Sequence, residues 1–341
     1  MPNTKPKPAT SRASAANPAL VAIGASAGGM NALAALVAQL PRDFAAPVLV
    51  VQHMAPTSSA KVLVDVLNRD GVLPCKQARH GEKIAAGHIY VAPPDNHLMV
   101  GNGRILITKG ARENRARPAI DPLFRSAAVE YGNRVIGVLL TGYLDDGTAG
   151  LTVVHRCGGI CVVQDPADAA YPDMPQNALN QVPVDYCVPL AQMGSLLVKL
   201  TGRRRGVQKP VPPDIAIEAQ IAKRVLSDLE SVEALGTQVP FNCPGCGGVL
   251  WQVAKNRQLR FRCHTGHAYT AQTLMAEQTA KMEETLWVAL RMFEEHRNLL
   301  VTMGGGGAVY TERVAQAKVH IDRIRGMLKA STVEVEPPET R

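Results

Sequence analysis

Residues 19–24, 48–51 and 135–140 are short apolar runs, each closed by a glycine or polar turn and followed by a stretch of helical periodicity. Runs of this length are too short for buried helices. They also lack the alternation of a half-exposed strand, so they read as strands covered on both faces. Residues 88–92, 105–107 and 160–164 add further strands, with helices expected at 30–40, 58–69, 121–131 and from about 148. In the helix at 121–131, Asp121 is placed near the N-cap and Pro122 at the first position. The alternation predicts an α/β fold, a doubly wound, mostly parallel sheet with helices on both faces, through about residue 200. Aromatic residues make up only 4% of the chain, so the core must rely on Val, Ile, Leu and Ala.

Outside residues 18–200 the pattern changes. Residues 1–17 are rich in Pro, Ala, Ser and Lys and lack an apolar segment, as expected of a disordered tail. Residues 201–213 read as a basic, proline-rich linker. Residues 214–330 read as an extension with a helix at 214–235, a cysteine segment at 241–269 and a helical hairpin at 269–330 broken by glycines 304–307. Residues 331–341 are expected to fray. The net charge is +8, yet residues 18–200 hold 15 Lys/Arg against 14 Asp/Glu, which argues against a broad nucleic-acid face there. Seven cysteines, an odd number, and the lack of a secretory signal suit a reducing, cytoplasmic compartment. No apolar run approaches about 18 residues, so no membrane insertion is expected.

Three of the strand ends carry chemistry. Gly24-Ala25-Ser26-Ala27-Gly28 lies between a strand and a helix, and small neighbours let a sharp turn lift a serine hydroxyl clear of the sheet. The same strand–glycine turn–helix pattern also suits phosphate binding. His53 follows the second apolar run and could serve as general base. Asp146 follows a third, where a carboxylate reaching Nδ1 of His53 would hold its tautomer. Asp145 and Asp146 could alternatively cap the next helix. Open α/β sheets build their clefts at the C-terminal ends of the strands, which is where all three residues fall.

Five motifs appear in order between residues 18 and 195: residues 24–29, Val50-Val51-Gln52-His53-Met54, residues 90–97 from Tyr90 to His97, residues 117–124 from Arg117 to Phe124, and residues 140–150 from Leu140 to Gly150. Together they resemble the catalytic domain of the chemotaxis protein-glutamate methylesterases of the CheB type. The resemblance implies a serine hydrolase with Ser26 as nucleophile, His53 as base, Asp146 rather than Asp145 as orienting acid, and the backbone N–H groups of Ala27 and Tyr143 as oxyanion donors. It implies no cofactor for catalysis. The implied substrate is a glutamate methyl ester on a methylated chemoreceptor or receptor-like partner, with glutamine deamidation as a related activity. Arg117 could bind an acidic receptor surface or pair with a carboxylate of its own chain. His97 reads as structural. The chain departs from the family pattern at Ala27, where threonine is usual, and at Tyr143-Leu144, where Met-Gly is usual. Leucine takes a positive φ only at a cost, so a different loop shape is expected. Only about 25 residues precede Ser26, too few for the family's receiver domain. The expectation is therefore an enzyme that is constitutive or controlled by another part or partner. A signalling adaptor that keeps the fold without the activity is the alternative.

Cys243-Pro244-Gly245-Cys246 and Cys263, separated by 16 residues from Cys246, form a metal-ligand pattern. With one histidine, His267 favoured over His264, they suit a tetrahedral structural zinc ion. Two free thiols and a redox pair are the alternative. Phe241, Leu250, Trp251 and Phe261 are expected to cover this ribbon. Lys255, Arg257, Arg260 and Arg262 read as a solvated hairpin face or, less simply, a nucleic-acid contact. The segment resembles the C-terminal extension of stand-alone methylesterase homologues.

Overall fold

The computed structural model describes residues 19–203, 210–223, 229–253, 259–304 and 308–331. The tails at 1–17 and 332–341, the linker residues 204–209, and Lys255 and Arg257 lie outside them.

Within residues 19–203 the chain runs β1 (Leu20–Ala25), α1 (Gly29–Val37), β2 (Val48–Gln52), α2 (Ala60–Asp70), β3 (Cys75–Gln77), β4 (Ile89–Val91), β5 (His97–Gly101), β6 (Arg104–Thr108), α3 (Ile120–Tyr131), β7 (Val135–Leu139), α4 (Thr148–Arg156), β8 (Ile160–Gln164), α5 (Asp173–Gln181), β9 (Tyr186–Val188) and α6 (Leu190–Thr201). Seven strands form one parallel sheet in the order β3-β4-β2-β1-β7-β8-β9. Alternate side chains along β1 enter opposite layers. Val21, Ile23 and Ala25 pack beneath α1, α2 and α6, and Leu20 and Ala22 beneath α3 and α4. Burial on both faces is why these strands carry unbroken apolar sequence.

The run at 105–107 does not join that sheet. As β6 it pairs antiparallel with β5, from Gly101↔Arg104 to His97↔Thr108, in a separate two-stranded ribbon, because a short turn at Asn102-Gly103 reverses the chain. The helix expected at 121–131 begins one residue earlier, with Ala119 as its N-cap.

After the linker come α7 (Pro213–Lys223) and α8 (Leu229–Glu233). An antiparallel sheet follows, made of β10 (Thr237–Asn242), β11 (Val249–Gln252), β12 (Arg260–Cys263) and β13 (Ala268–Thr270). Trp251 seats against Ile221 of α7 and Val232 of α8, which gives this small sheet a core. Leu250 and Phe261 are buried as expected, whereas Phe241 is exposed and touches Phe261 edge-on.

The chain divides into two compact units after Ala271, not at the linker. The reason is a buried ionic cluster. Arg125 of α3 reaches Glu113 at 2.5 Å and Glu218 of α7 at 2.8 Å; Arg262 of β12 reaches Glu113 at 3.0 Å and Glu218 at 3.2 Å; Arg260 pairs with Glu218. Arg260 and Arg262 are therefore neither a solvated face nor a nucleic-acid contact, because both guanidinium groups are spent inside the protein. Burial pushes both glutamates towards neutrality, but the arginines outweigh it and hold Glu218 well below the usual carboxylate range.

The second unit contains α9 (Ala271–Gly304) and α10 (Ala308–Ser331). Leu290 of α9 meets Ile321, Ile324 and Leu328 of α10, and Arg325 bonds Glu294 at 2.6 Å, so the two helices form a hairpin. Among the described residues no helix is long and apolar enough to cross a membrane.

Candidate active site

Ser26 leaves β1 in a tight turn. Its N–H donates to the Thr141 carbonyl at 3.0 Å, and its own carbonyl accepts from Gly29 N–H at 2.9 Å. Gly28 sits at φ 73°, where a side chain would be strained and its Cβ would lie 3.0 Å from that of Ala170. Gly142, across the cleft, has no room for a side chain either: a Cβ there would come within 2.6 Å of the Ser26 Cβ. The small residues thus permit the strand end after β1 and the strand end after β7 to meet at the hydroxyl.

His53 follows β2, its N–H bonded to the Ala25 carbonyl at 3.0 Å. Its Nδ1 lies 3.1 Å from Ser26 Oγ and its Nε2 lies 2.7 Å from Asp146 Oδ2. The ring is turned opposite to the sequence expectation, which had the carboxylate on Nδ1. Gln52, one residue before it, donates from Nε2 to the carbonyls of Ser26 at 2.8 Å and His53 at 3.0 Å, tying the two loops together.

Asp146 is buried and well supplied with donors. Oδ2 also accepts from Ile120 N–H at 2.7 Å, and Oδ1 accepts from the Asn114 amide at 2.9 Å. Burial alone would raise its affinity for a proton; the bonds from His53, Ile120 and Asn114 outweigh this and hold the carboxyl below its ordinary range. Asp121 is the neighbouring carboxyl, and the same Asn114 amide donates to it at 2.8 Å. Burial and the Asp146 charge push Asp121 up to about 7.

Neither side chain of the Asp145-Asp146 pair caps α4. Asp121 does so from α3, accepting from Gly147 N–H at 3.1 Å and Gly150 N–H at 2.6 Å. Asp145 instead accepts from the Thr270 hydroxyl at 2.9 Å. The loop between them and β7 holds Leu144 at φ 63°, so it adopts the left-handed backbone despite the leucine. Its carbonyl is anchored by the Asn177 amide at 2.7 Å.

The backbone N–H groups of Ala27 and Tyr143 have no internal acceptor among the described residues and flank the serine turn. Arg117 is committed within the chain: its guanidinium donates to Asp95 at 2.9 and 2.6 Å and to the Gly110 carbonyl at 2.8 Å. These bonds agree with the second of its two readings, pairing within its own chain. His97 is buried, with Nε2 on the Ala111 carbonyl at 2.9 Å and Nδ1 accepting from Ala119 N–H at 3.3 Å.

A second cluster lies in the small sheet. Ligand atoms of Cys243, Cys246, Cys263 and His267 all fall within 4.8 Å of one another. Cys246 Sγ is 3.7 Å from Cys263 Sγ, and Cys263 Sγ is 3.5 Å from His267 Nδ1. A tetrahedral zinc ion with bonds of about 2.3 Å to sulfur and 2.0–2.1 Å to nitrogen requires edges of about 3.8 and 3.5 Å. The donor set and these two separations fit zinc. None of the seven cysteines forms a disulfide.

The arrangement sets the Ser26 hydroxyl beside an imidazole nitrogen, as nucleophilic attack on an acyl carbon requires. The model of the CheB methylesterase family matches residues 21–197. A relative from Leptospira interrogans is 37% identical over 184 residues, covering 53% of this chain and 93% of its own length. The protein-glutamate methylesterase/protein-glutamine glutaminase 2 of Anaeromyxobacter dehalogenans is 41% identical over 189 residues, 55% of each chain. The match therefore spans about half the length of that relative. The crystal structure of the Thermotoga maritima CheB methylesterase catalytic domain is 34% identical, covers 54% of this chain and 99% of that one, and gives a TM-score of 0.52.

Proposed function

Since the chain belongs to the CheB methylesterase family, we propose that it hydrolyses glutamate γ-methyl esters on methylated chemoreceptor-type proteins, with Ser26, His53 and Asp146 as its catalytic triad. The observation that carries this reading is the unbroken hydrogen-bond relay from Ser26 Oγ through the imidazole to Asp146. Nε2 carries the ring proton and donates to Asp146, which leaves Nδ1 as the base. It takes the serine proton as Oγ attacks the ester carbonyl. The N–H groups of Ala27 and Tyr143 receive the oxyanion. The imidazolium then protonates the methoxide oxygen, methanol departs, and water activated by the same Nδ1 releases the glutamate carboxylate and restores Ser26.

The same steps with ammonia as leaving group would deamidate a glutamine, and relatives are named for both activities. The assembled relay favours an enzyme over the adaptor reading, which requires no such alignment. A cytoplasmic setting suits a receptor substrate of this kind. We also assign Cys243, Cys246, Cys263 and His267 to one structural zinc ion that does not contact the ester.

Methanol release from a methylated receptor fragment tests the proposal. Wild-type protein is expected to release it, and Ser26→Ala to fall to the uncatalysed rate with an unchanged melting point. Equal release by both proteins would refute the assignment.

A further inference from the structure

We propose that the small C-terminal sheet is a positioning element of the esterase: its edge strand β13 fixes Asn114, and Asn114 fixes the triad carboxylate Asp146. The inference rests on the triad and zinc readings above and adds a physical link between them.

The link is continuous. His267, a ligand of the cluster, directly precedes Ala268, the first residue of β13. The Ala268 carbonyl accepts from Asn114 N–H at 2.9 Å, and Ala268 N–H donates to the Arg112 carbonyl at 3.4 Å. Residues 112–114 thus add to the free edge of the sheet, with Glu113 in a parallel bridge to Ala268. Two residues along, Thr270 N–H donates to Asn114 Oδ1 at 3.3 Å, and the Thr270 hydroxyl donates to Asp145 at 2.9 Å. With its oxygen held by β13, the Asn114 amide can point its NH2 group only one way, between Asp146 and Asp121 at 2.9 and 2.8 Å.

The position is costly to hold without help. Asn114 and Arg115 have φ values of 48° and 69°, a left-handed turn that strains residues other than glycine, arginine more than asparagine. Glu113, between Arg112 and Asn114, is buried and anchored by Arg125 and Arg262. Arg262 also donates to the Gly266 carbonyl at 2.9 Å, inside the loop that joins Cys263 to His267. The same arginine therefore grips both the cluster loop and the segment that carries Asn114. An amide between two buried carboxylates also lessens their mutual repulsion, so that Asp146 can stay ionised beside His53. Asn114 acts through Asp146 and is a positioning residue.

The test is Ser26-dependent hydrolysis of p-nitrophenyl acetate by the full chain, with and without metal. A small activated ester needs no receptor recognition. Zinc content is measured independently, by release to a chromophoric chelator after the thiols are blocked with a mercurial, and is expected to be one per chain. Asn114→Ala is expected to lower kcat by about 10–100-fold, as loss of an orienting partner does elsewhere, with KM within about twofold. Metal removal should lower wild-type kcat about tenfold yet leave Asn114→Ala within about twofold of its own rate, because both changes cut one link. Thr270→Ala keeps the backbone N–H that holds Asn114 and removes the hydroxyl bond to Asp145; it should retain zinc and hold kcat within about twofold of wild type. Metal removal that slows wild type and Asn114→Ala by equal factors would overturn the coupling. So would Asn114→Ala with wild-type kcat. Less than a tenth of a zinc per chain would overturn the metal end of the link, and a wild type with no Ser26-dependent turnover would fell the esterase reading itself.

Discussion

His53 faces Asp146 through Nε2, at 2.7 Å, and keeps Nδ1 for Ser26. The carboxylate therefore selects the tautomer that is a base towards the serine. Asp146→Asn would present the ring with a group that can also donate, and the base would be lost in a share of molecules. We expect kcat to fall on the order of 10³–10⁴-fold with KM nearly unchanged, measured on the small ester. Because Asp146 also accepts from Ile120 and Asn114, a lower melting point should accompany the loss.

Glu218 lies among three arginines, Arg125, Arg260 and Arg262, under the docking face of the small sheet. Glu218→Gln removes the charge and leaves those guanidinium groups short of a counter-ion in a buried place. Breaking such a buried set costs about 3–5 kcal/mol. A drop of this size in urea-unfolding stability is expected; a change under about 1 kcal/mol would mean the cluster is solvated.

Asp145 gives a pH signature. Burial pushes its carboxyl up to about 6, from an unfolded value of 3.8. Between those values the folded protein holds a proton that the unfolded chain has released, so this residue's contribution is intact below about 4 and declines as pH rises through 6. Asp145→Asn keeps an oxygen for the Thr270 hydroxyl and removes the titration. Its stability advantage over wild type should be absent at pH 4 and grow to on the order of 2 kcal/mol at pH 7.5, read from urea midpoints. An advantage that shrinks with rising pH would contradict the sign.

Leu144 holds a left-handed φ of 63° that glycine would take without strain. Leu144→Gly should gain about 0.5–1 kcal/mol after glycine's own entropy cost, seen as a higher urea midpoint. A loss would mean that the leucine side chain contributes packing worth more than its backbone strain.

What could be read from the chain beforehand follows from how local the signals are. β1, β2 and β7 are apolar over four to six consecutive residues, and the serine, histidine and aspartate each follow one of them, so a parallel sheet carries them to one edge without further information. β3 (Cys75–Gln77) and β9 (Tyr186–Val188) are edge strands of three residues with mixed sequence and gave no periodic signal. Arg260 and Arg262 looked like solvent-facing charge because their partner Glu218 lies 42 and 44 residues away. Asn114 meets Asp146 across 32 residues and Thr270 across 156, and no local pattern marks such a residue. The orientation of the His53 ring is likewise set by the approach of Asp146 through space. His267 was already favoured over His264 from its sequence context, and its Nδ1 lies 3.5 Å from Cys263 Sγ.

The most direct measurement of the central claim is covalent labelling with a serine-directed fluorophosphonate, read by peptide mass spectrometry. A Ser26–His53–Asp146 triad gives a single adduct on Ser26, formed by the wild type and abolished by His53→Ala. An unlabelled Ser26 in the folded wild-type protein, or labelling that persists undiminished in His53→Ala, would contradict it.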